Sequence, residues 1–320
     1  MSAVAELIED AGAAATSEEF FRSRPFLAAE GVTHTLRIEG GGVELLAPLL
    51  VREIPGTDLR DAISPYGYPG IVVRGVVPPI GGSNHQTALD PTSVDFGPAG
   101  LVSVFIRHTL GSPPLAGASS RNVVQIADPA LPLKSRGSDR NQVNKNRRAG
   151  YELRLLPGGE ATADDRAGFL TAYEETMRRT GAAERYFFDA AYFDRLLESD
   201  RAWLALAHAP GGEVAAASIA VSSDGFLHYY LSGSADAYLR DSPMKNVVAG
   251  LIEFASEQGL PLNLGGGITR GDRLEEFKRG FANREEQWST SEIVCDAEAY
   301  ARLSPDGAPD GFFPAYRAPA

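Results

Sequence analysis

Apolar and polar positions are most legible in the second half of the chain. From Asp164 to Thr180, Phe169, Tyr173, Thr176, Met177 and Thr180 recur at helical spacing and Gly181 follows, which predicts a helix with a glycine stop. A second helix is expected over Asp189 to Leu197, with Tyr192, Phe193, Leu196 and Leu197 on one face. Three β-rich runs come next, Ala202 to His208, Glu213 to Ser222 and Phe226 to Ser232. Pro210-Gly211-Gly212 and Asp224-Gly225 divide them, which predicts an antiparallel meander. Ser242 and Pro243 then open the most regular helix, whose stripe is Met244, Val247, Val248, Leu251, Ile252 and Ala255, with Gly259 beyond it. Leu260 to Leu264 reads as a strand, a short helix begins at Asp272, and Ser289 to Cys295 is a last strand.

The first half is less regular. Thr35 to Ile38 and Leu45 to Ile54 read as strands joined by a Gly40-Gly41-Gly42 hairpin turn, the second dense enough in Leu and Val to be buried on both faces. Ile63 to Gly70 is a proline- and glycine-fixed loop presenting Tyr66 and Tyr68, and Ile71 to Val77 resumes a strand. Pro78 to Gly100 reads as loop; Gly100 to His108, Asn122 to Ile126 and Tyr151 to Leu156 read as strands, and Asp139 to Gly150 as a helix. Residues 1–30 carry little periodicity and are expected to be a loose N-terminal arm.

Composition narrows the class. At 320 residues and 43% hydrophobic content the chain can bury a core for two domains or lobes. The longest apolar run, Val214 to Val221, is too short to span a membrane, and Glu6, Glu9 and Asp10 stand where a signal peptide would be basic, so a cytoplasmic location is expected. One cysteine, Cys295, allows no intramolecular disulfide, and five scattered histidines predict no metal site. The net charge of −12 opposes non-specific binding to polyanions. Its distribution matters more, because Lys134, Arg136, Arg140, Lys145, Arg147 and Arg148 fall in one segment with a single acid, Asp139. That segment could follow an RNA backbone, although no aromatic residues interleave it.

The candidate chemistry centres on Asn263 to Phe281. Three glycines, Gly265, Gly266 and Gly267, could let a ligand approach the main chain. Asp272 and Glu275 would cap the following helix, and Leu274, Phe277 and Phe281 would anchor its apolar face with Lys278 at the edge. Without further context Lys278 reads first as a lysine whose stem covers a core edge. No general base is visible: His228 is a candidate by residue type alone and reads more readily as a satisfied strand histidine, and Ser222, Ser223, Asp224 and His228 lie too close in sequence for a nucleophilic triad.

The order of two helices, three strands, helix, strand, helix and strand resembles an N-acyltransferase lobe of the GNAT type. The motifs Ile63-Ser64-Pro65-Tyr66-Gly67-Tyr68-Pro69-Gly70, Asn144-Lys145-Asn146-Arg147-Arg148-Ala149-Gly150-Tyr151-Glu152 and Tyr173-Glu174-Glu175-Thr176-Met177-Arg178-Arg179 resemble the Fem-type aminoacyltransferases. So do Tyr229-Tyr230-Leu231-Ser232-Gly233-Ser234, Asn263 to Gly267, and Phe277-Lys278-Arg279-Gly280-Phe281. The resemblance runs from about residue 35 to 295 and implies an α/β (α+β) fold of two GNAT-like lobes, each a mixed, mostly antiparallel sheet flanked by helices. With it the chain divides into an arm (1–30), a first lobe (31–150), a second lobe (151–300) and a C-terminal tail (301–320).

By the same resemblance the protein is an amide-forming aminoacyltransferase with aminoacyl-tRNA as co-substrate, no bound cofactor, and an amine acceptor of small-molecule or peptide kind. Lys278 is the implied catalytic cation; Tyr66, Tyr68, Thr176, Arg179, Tyr186, Phe277 and Gly265 to Gly267 are the implied substrate-binding positions. Lys134, Arg136, Arg140, Lys145, Arg147 and Arg148 would meet the tRNA. An acyl-CoA donor is the alternative. The loop such enzymes use for the CoA pyrophosphate has one match, Arg178-Arg179-Thr180-Gly181-Ala182-Ala183, at a helix end rather than a helix start, and none between Ser234 and Lys245. A catalytically silent binding module is the third possibility, separated from both by the absence of product.

Overall fold

The computed structural model describes residues 3–75, 89–111, 113–269, 271–305 and 311–318. Val76, Val77, the 78–88 part of the expected loop, and Arg270 lie outside the described residues. The strands are β1 (Ala3–Ile8), β2 (His34–Gly40), β3 (Val43–Glu53), β4 (Arg60–Ile63), β5 (Val72–Gly75), β6 (Val94–Asp95), β7 (Ser103–Arg107), β8 (Ser119–Ala127), β9 (Glu152–Pro157), β10 (Ala202–His208), β11 (Val214–Ser223), β12 (Phe226–Ser234), β13 (Leu262–Gly265) and β14 (Arg284–Val294). The helices are α1 (Arg24–Ala29), α2 (Gly137–Arg148), α3 (Ala163–Thr180), α4 (Ala190–Leu197), α5 (Met244–Glu257), α6 (Arg273–Arg279) and α7 (Ala297–Leu303). They fall into two units, one of Met1–Ser17, Glu30–Arg121 and Gln287–Ala320, the other of Glu18–Ala29 and Asn122–Glu286.

In the first unit the strand order is β6-β1-β2-β3-β4-β7-β14, with β5 also on β3. The pairs are antiparallel except β1 with β6 and β4 with β7. Gly41 and Gly42, at φ of 62° and 81°, make the expected hairpin turn, a conformation that side-chain-bearing residues resist. Residues 3–8 are not a loose arm: β1 pairs with β2 along its length. The signal was weak because the inward positions, Ala3 and Ala5, are small. They fit because Gly40 has no side chain; a Cβ there would lie 2.6 Å from Ala3 Cα. The C-terminal residues are packed rather than trailing, with the Tyr316 and Ser103 hydroxyls 2.8 Å apart and Arg317 Nη2 donating to Asp61 Oδ1 at 3.1 Å.

The second unit carries the strand order β8-β13-β12-β11-β10-β9, antiparallel except for β12 with β13. The meander and the helix–strand–helix–strand succession are those expected. The basic segment, expected in the first lobe, belongs to this unit. Helix α3 starts on a Thr162–Asp165 capping box and stops at Gly181, at φ 61°. It crosses β12 at Gly233, where a Cβ would fall 2.5 Å from Tyr173 Cα. Helix α5 buries Val247, Val248, Leu251 and Ala255 against Ala205, Ala207, Ala216 and Ala220, small sheet residues that let the helix sit close. No helix among the described residues is long and apolar enough to cross a membrane.

Candidate functional site

Strands β12 and β13 are paired only at Leu227 with Leu262 and His228 with Asn263, after which they part. Beyond the parting β12 carries a bulge, since Ile219 faces Leu231 while Ala220 faces Tyr229, leaving Tyr230 as the extra residue. Such bulges re-aim side chains and open an edge. On the other side of the parting, β13 runs into the glycine loop.

That loop is tied down by its own chain. Asn263 Oδ1 accepts from Gly265 N at 2.8 Å, and Asn122 Nδ2 donates to Gly267 O at 3.2 Å. Asp272 Oδ2 accepts from Ile268 N at 2.7 Å and Thr269 N at 3.0 Å, while its Oδ1 caps α6 through Glu275 N at 2.8 Å. These bonds hold the Asp272 carboxyl below its usual pKa, the Glu275 amide contributing most. Glu275 does not complete a capping box; its Oε2 accepts from Gly271 N at 2.7 Å, one residue before the cap. The room left by two glycines is also used internally. A Cβ on Gly266 would lie 2.6 Å from Asn122 Nδ2, and one on Gly267 2.5 Å from Asp272 Oδ1. Gly265 takes φ 77°.

Lys278 is not at the helix edge but turned inward, 9% exposed, with Nζ donating to Gly266 O at 2.7 Å. Burial pulls its pKa from 10.5 down to about 8, opposed by the negative charge of Asp272. The expected apolar face is correspondingly rotated. Phe277 and Phe281 pack, with ring centroids 5.5 Å apart, but Leu274 is 41% exposed and Glu275 is buried. The polar groups of the loop need partners, and Glu275 and Lys278 turn in to supply them.

His228 is buried and engaged at both nitrogens, which removes it as a general base. Nε2 lies 3.1 Å from Ser223 O, an atom that can only accept, so Nε2 carries the proton and Nδ1 accepts from Asn263 Nδ2 at 3.0 Å. Desolvation drives its pKa down to about 4. A continuous chain therefore runs from Ser223 O through His228 and Asn263 to Gly265 N. Asn263 and Asn122 were missed in the sequence. Asn263 had a local signal, an amide just before three glycines, whereas Asn122 lies too far along the chain to have one.

The expected acceptor residues gather at the end of α3. Ser234 N donates to Thr176 Oγ1 at 2.9 Å, Arg179 Nη2 donates to the same oxygen at 3.0 Å, and Arg179 also pairs with Asp236. The carboxylate Arg179 grips is thus the chain's own. Tyr186 offers its carbonyl to the Tyr173 hydroxyl at 2.8 Å. Tyr66 and Tyr68 belong to the first unit, Tyr66 39% exposed with its N–H on Glu30 at 2.9 Å, and Tyr68 edge-on to Trp288 at 5.9 Å.

The basic residues split. Arg136 pairs with Glu276 at 3.6 Å and Arg147 with Glu253 at 2.9 Å, whereas among the described residues no ion pair engages Lys134, Arg140, Lys145 or Arg148. The single acid of the segment, Asp139, is taken by Lys245 at 2.9 Å. Asn146 is buried and bonds Asp241 O at 2.8 Å and Asn246 Oδ1 at 2.7 Å, fastening α2 to the start of α5. Among the described residues no cluster of His, Cys, Asp or Glu is arranged to hold a metal ion. Burial lifts the Cys295 thiol to about 12, which makes it a poor nucleophile.

Residues 134–279 match the family model of an acetyltransferase (GNAT) domain. Among solved structures, FemX superposes with a TM-score of 0.62 at 11% identity, covering 88% of this chain and 93% of that one. L-PGS from Bacillus licheniformis gives 0.54 at 12% identity over 80% of this chain and 82% of that one. The C-terminal DUF2156 domain of a protein named as a lysylphosphatidylglycerol synthetase, from Agrobacterium fabrum, gives 0.55 at 14% identity over 91% and 89%. No curated protein sequence matches the chain.

Proposed function

We propose that this chain, which carries a GNAT-type acyltransferase domain in a Fem-like fold, transfers an aminoacyl group from a charged tRNA to an amine. The observation that carries the reading is Lys278, a buried cation fixed on Gly266 O just past the end of β13. In the reaction the acceptor nitrogen attacks the ester carbonyl and a C–N bond forms. The C–O bond to the terminal ribose then breaks, and the amine proton passes to the departing ribose oxygen. An aminoacyl ester is already activated, so the protein must orient the amine and stabilise the negative oxygen of the tetrahedral intermediate. Lys278, held at about 8, is still mainly protonated at neutral pH and works in a dry setting where its charge counts for more than in water.

In this reading the glycine loop holds the lysine rather than gripping phosphates. The tRNA backbone meets Lys134, Arg136, Arg140, Lys145, Arg147 and Arg148, the acceptor is a small amine or peptide, and the protein acts in the cytoplasm. Thr176 and Arg179 shape the end of β12, Tyr186 packs on α3 through the Tyr173 hydroxyl, and Tyr66 and Tyr68 offer aromatic surface on the first unit. An acyl-CoA donor is less favoured because the first amides of α5 are in use. Lys245 N donates to Ser242 O at 3.0 Å and Asn246 N to Pro243 O at 2.9 Å, where a pyrophosphate would need them free.

The test is incubation with charged tRNA, or with acyl-CoA, plus candidate amines, following amide formation by mass. Product from acetyl-CoA and from no charged tRNA would overturn the donor assignment. Lys278→Met is expected to remove most turnover without unfolding the protein, and wild-type turnover in that variant would take Lys278 out of the mechanism.

A further inference from the structure

Between α2 and α5 lies a groove of about 240 Å³ whose character differs from the acidic average of the chain. Its floor is apolar: Val143 and Phe281 are buried, and Ala249 and Ile252 complete it. Its rim is mainly basic, with Lys134, Arg140 and Arg147 against one acid, Glu253. Two of the three rim cations are held in place, Arg140 by Nη1 donating to Ser135 O at 2.6 Å and Arg147 by Glu253. Leu133 stands at the mouth, 63% exposed.

We infer that this groove seats one unpaired nucleotide of an RNA strand, with the base on the apolar floor and the flanking phosphates on Lys134, Arg140 and Arg147. The inference rests on the tRNA reading and gives it a place. A phosphate alone would be served by the cations and leave the floor unused; a neutral apolar ligand would leave Lys134 and Arg140 unmatched. A nucleotide has both parts in the required order, a planar apolar-faced ring beside an anion, and guanidinium planes fixed at a rim can lie against a base. An anionic bilayer has the same chemistry, but its surface is broad. The floor residues Val143 and Phe281 are recessed, Leu133 alone standing out at the mouth, and a wide anionic face would meet the acidic remainder of a chain of net charge −12. A single strand is narrow enough to meet only the basic patch.

The experiment is fluorescence anisotropy of the full chain with a labelled single-stranded oligoribonucleotide that carries no aminoacyl group, titrated at several salt concentrations. Ala249→Leu fills the groove and leaves every charge, so it is expected to weaken binding about tenfold with an unchanged salt slope. Ile252→Gln makes the floor polar without adding bulk and is expected to act in the same direction, with thermal melting confirming that both variants fold. Lys134→Gln with Arg140→Gln is expected to reduce the salt slope by about 1.4, the share of two phosphate contacts on single strands. Wild-type RNA affinity in both floor variants would overturn the seat while leaving the donor assignment standing. Groove-dependent RNA binding in a protein that yields product only from acyl-CoA would support the seat and overturn the donor. Binding to phosphatidylglycerol vesicles with none to RNA would replace the seat by a lipid surface.

Discussion

Lys278 gives the sharpest quantitative expectation, because its burial affects stability as well as chemistry. In the unfolded chain the amine titrates near 10.5; in the folded protein, about 8. Each unit of difference is worth about 1.4 kcal/mol, so keeping this lysine charged costs the native state about 3 kcal/mol at neutral pH. Between pH 8 and 10.5 the unfolded chain binds the proton that the folded protein has released, so stability rises with pH across that window. Below pH 8 the cost is present in full; above 10.5 it is gone. Lys278→Met removes the cost but leaves Gly266 O without its donor, a loss of about 1–3 kcal/mol, so the variant is expected to be as stable as the wild type or slightly more so at pH 7. The cleaner readout is the difference between the two urea-unfolding free energies as a function of pH, in which contributions from every other group cancel. That difference should shift by about 3 kcal/mol in favour of the wild type from pH 7.5 to 10.5. A difference curve flat over that range would refute the burial of a charged lysine, and with it the reason for assigning Lys278 a role in the transition state.

Gly233→Ala places a methyl against the backbone of α3 at Tyr173, which cannot yield as a side chain would. A loss of about 3 kcal/mol is expected, seen as a lower urea midpoint with an unchanged slope. Asp272→Ala removes the cap of α6 and the acceptor of two loop amides, and is expected to cost about 1–2 kcal/mol with faster amide exchange at Ile268 and Thr269. His228 and His108 are both buried with pKa lowered to about 4 by desolvation. The unfolded chain therefore takes up two protons that the native protein refuses, and stability should fall as pH drops from 6.5 to 4, more gently once either is replaced by Gln. Asn263→Asp keeps the acceptor for Gly265 N but presents an acceptor to His228 Nδ1, so His228 must protonate to bond it. The variant should lose stability as pH rises from 6 to 8 where the wild type does not, and a wild-type pH profile would mean that the imidazole tautomer is the other one.

Much of the second unit was legible because its elements are punctuated locally. Gly181 stops α3, Asp224-Gly225 turns β11 into β12, and the α5 stripe repeats at helical spacing. The first unit was harder for physical reasons. β1 buries alanines whose hydrophobic signal is small, and the packing of 311–318 depends on Ser103 and Asp61, partners remote in sequence. The same distinction separates the parts of the site. The glycine loop and Lys278 could be found in sequence, but not their relation, because periodicity placed Leu274 inward and Lys278 at the edge. What turned α6 was the demand of loop carbonyls and amides for partners, met by Glu275 and Lys278. A periodic apolar stripe on a seven-residue helix is too short to outweigh two such bonds.

Two buried groups are tied to the loop, His228 through Asn263 and Lys278 through Gly266 O, and they behave oppositely. His228 is neutral throughout the physiological range and fixes Asn263; nothing is lost by burying it until the solution becomes acid. Lys278 is charged there, and its burial costs stability that methionine at the same place would restore. Of the buried polar groups that join elements here, His228, Asn263 and Asn146 are uncharged, and the carboxylate Glu275 has both the Gly271 amide and the Arg279 guanidinium as partners. A buried cation bonded to a single carbonyl departs from that pattern. Gly266 O needs one donor, which an asparagine or a backbone amide could supply without desolvating a charge. The positive charge itself is therefore the property that packing does not account for, and a developing negative oxygen beside the glycine loop is a partner that would.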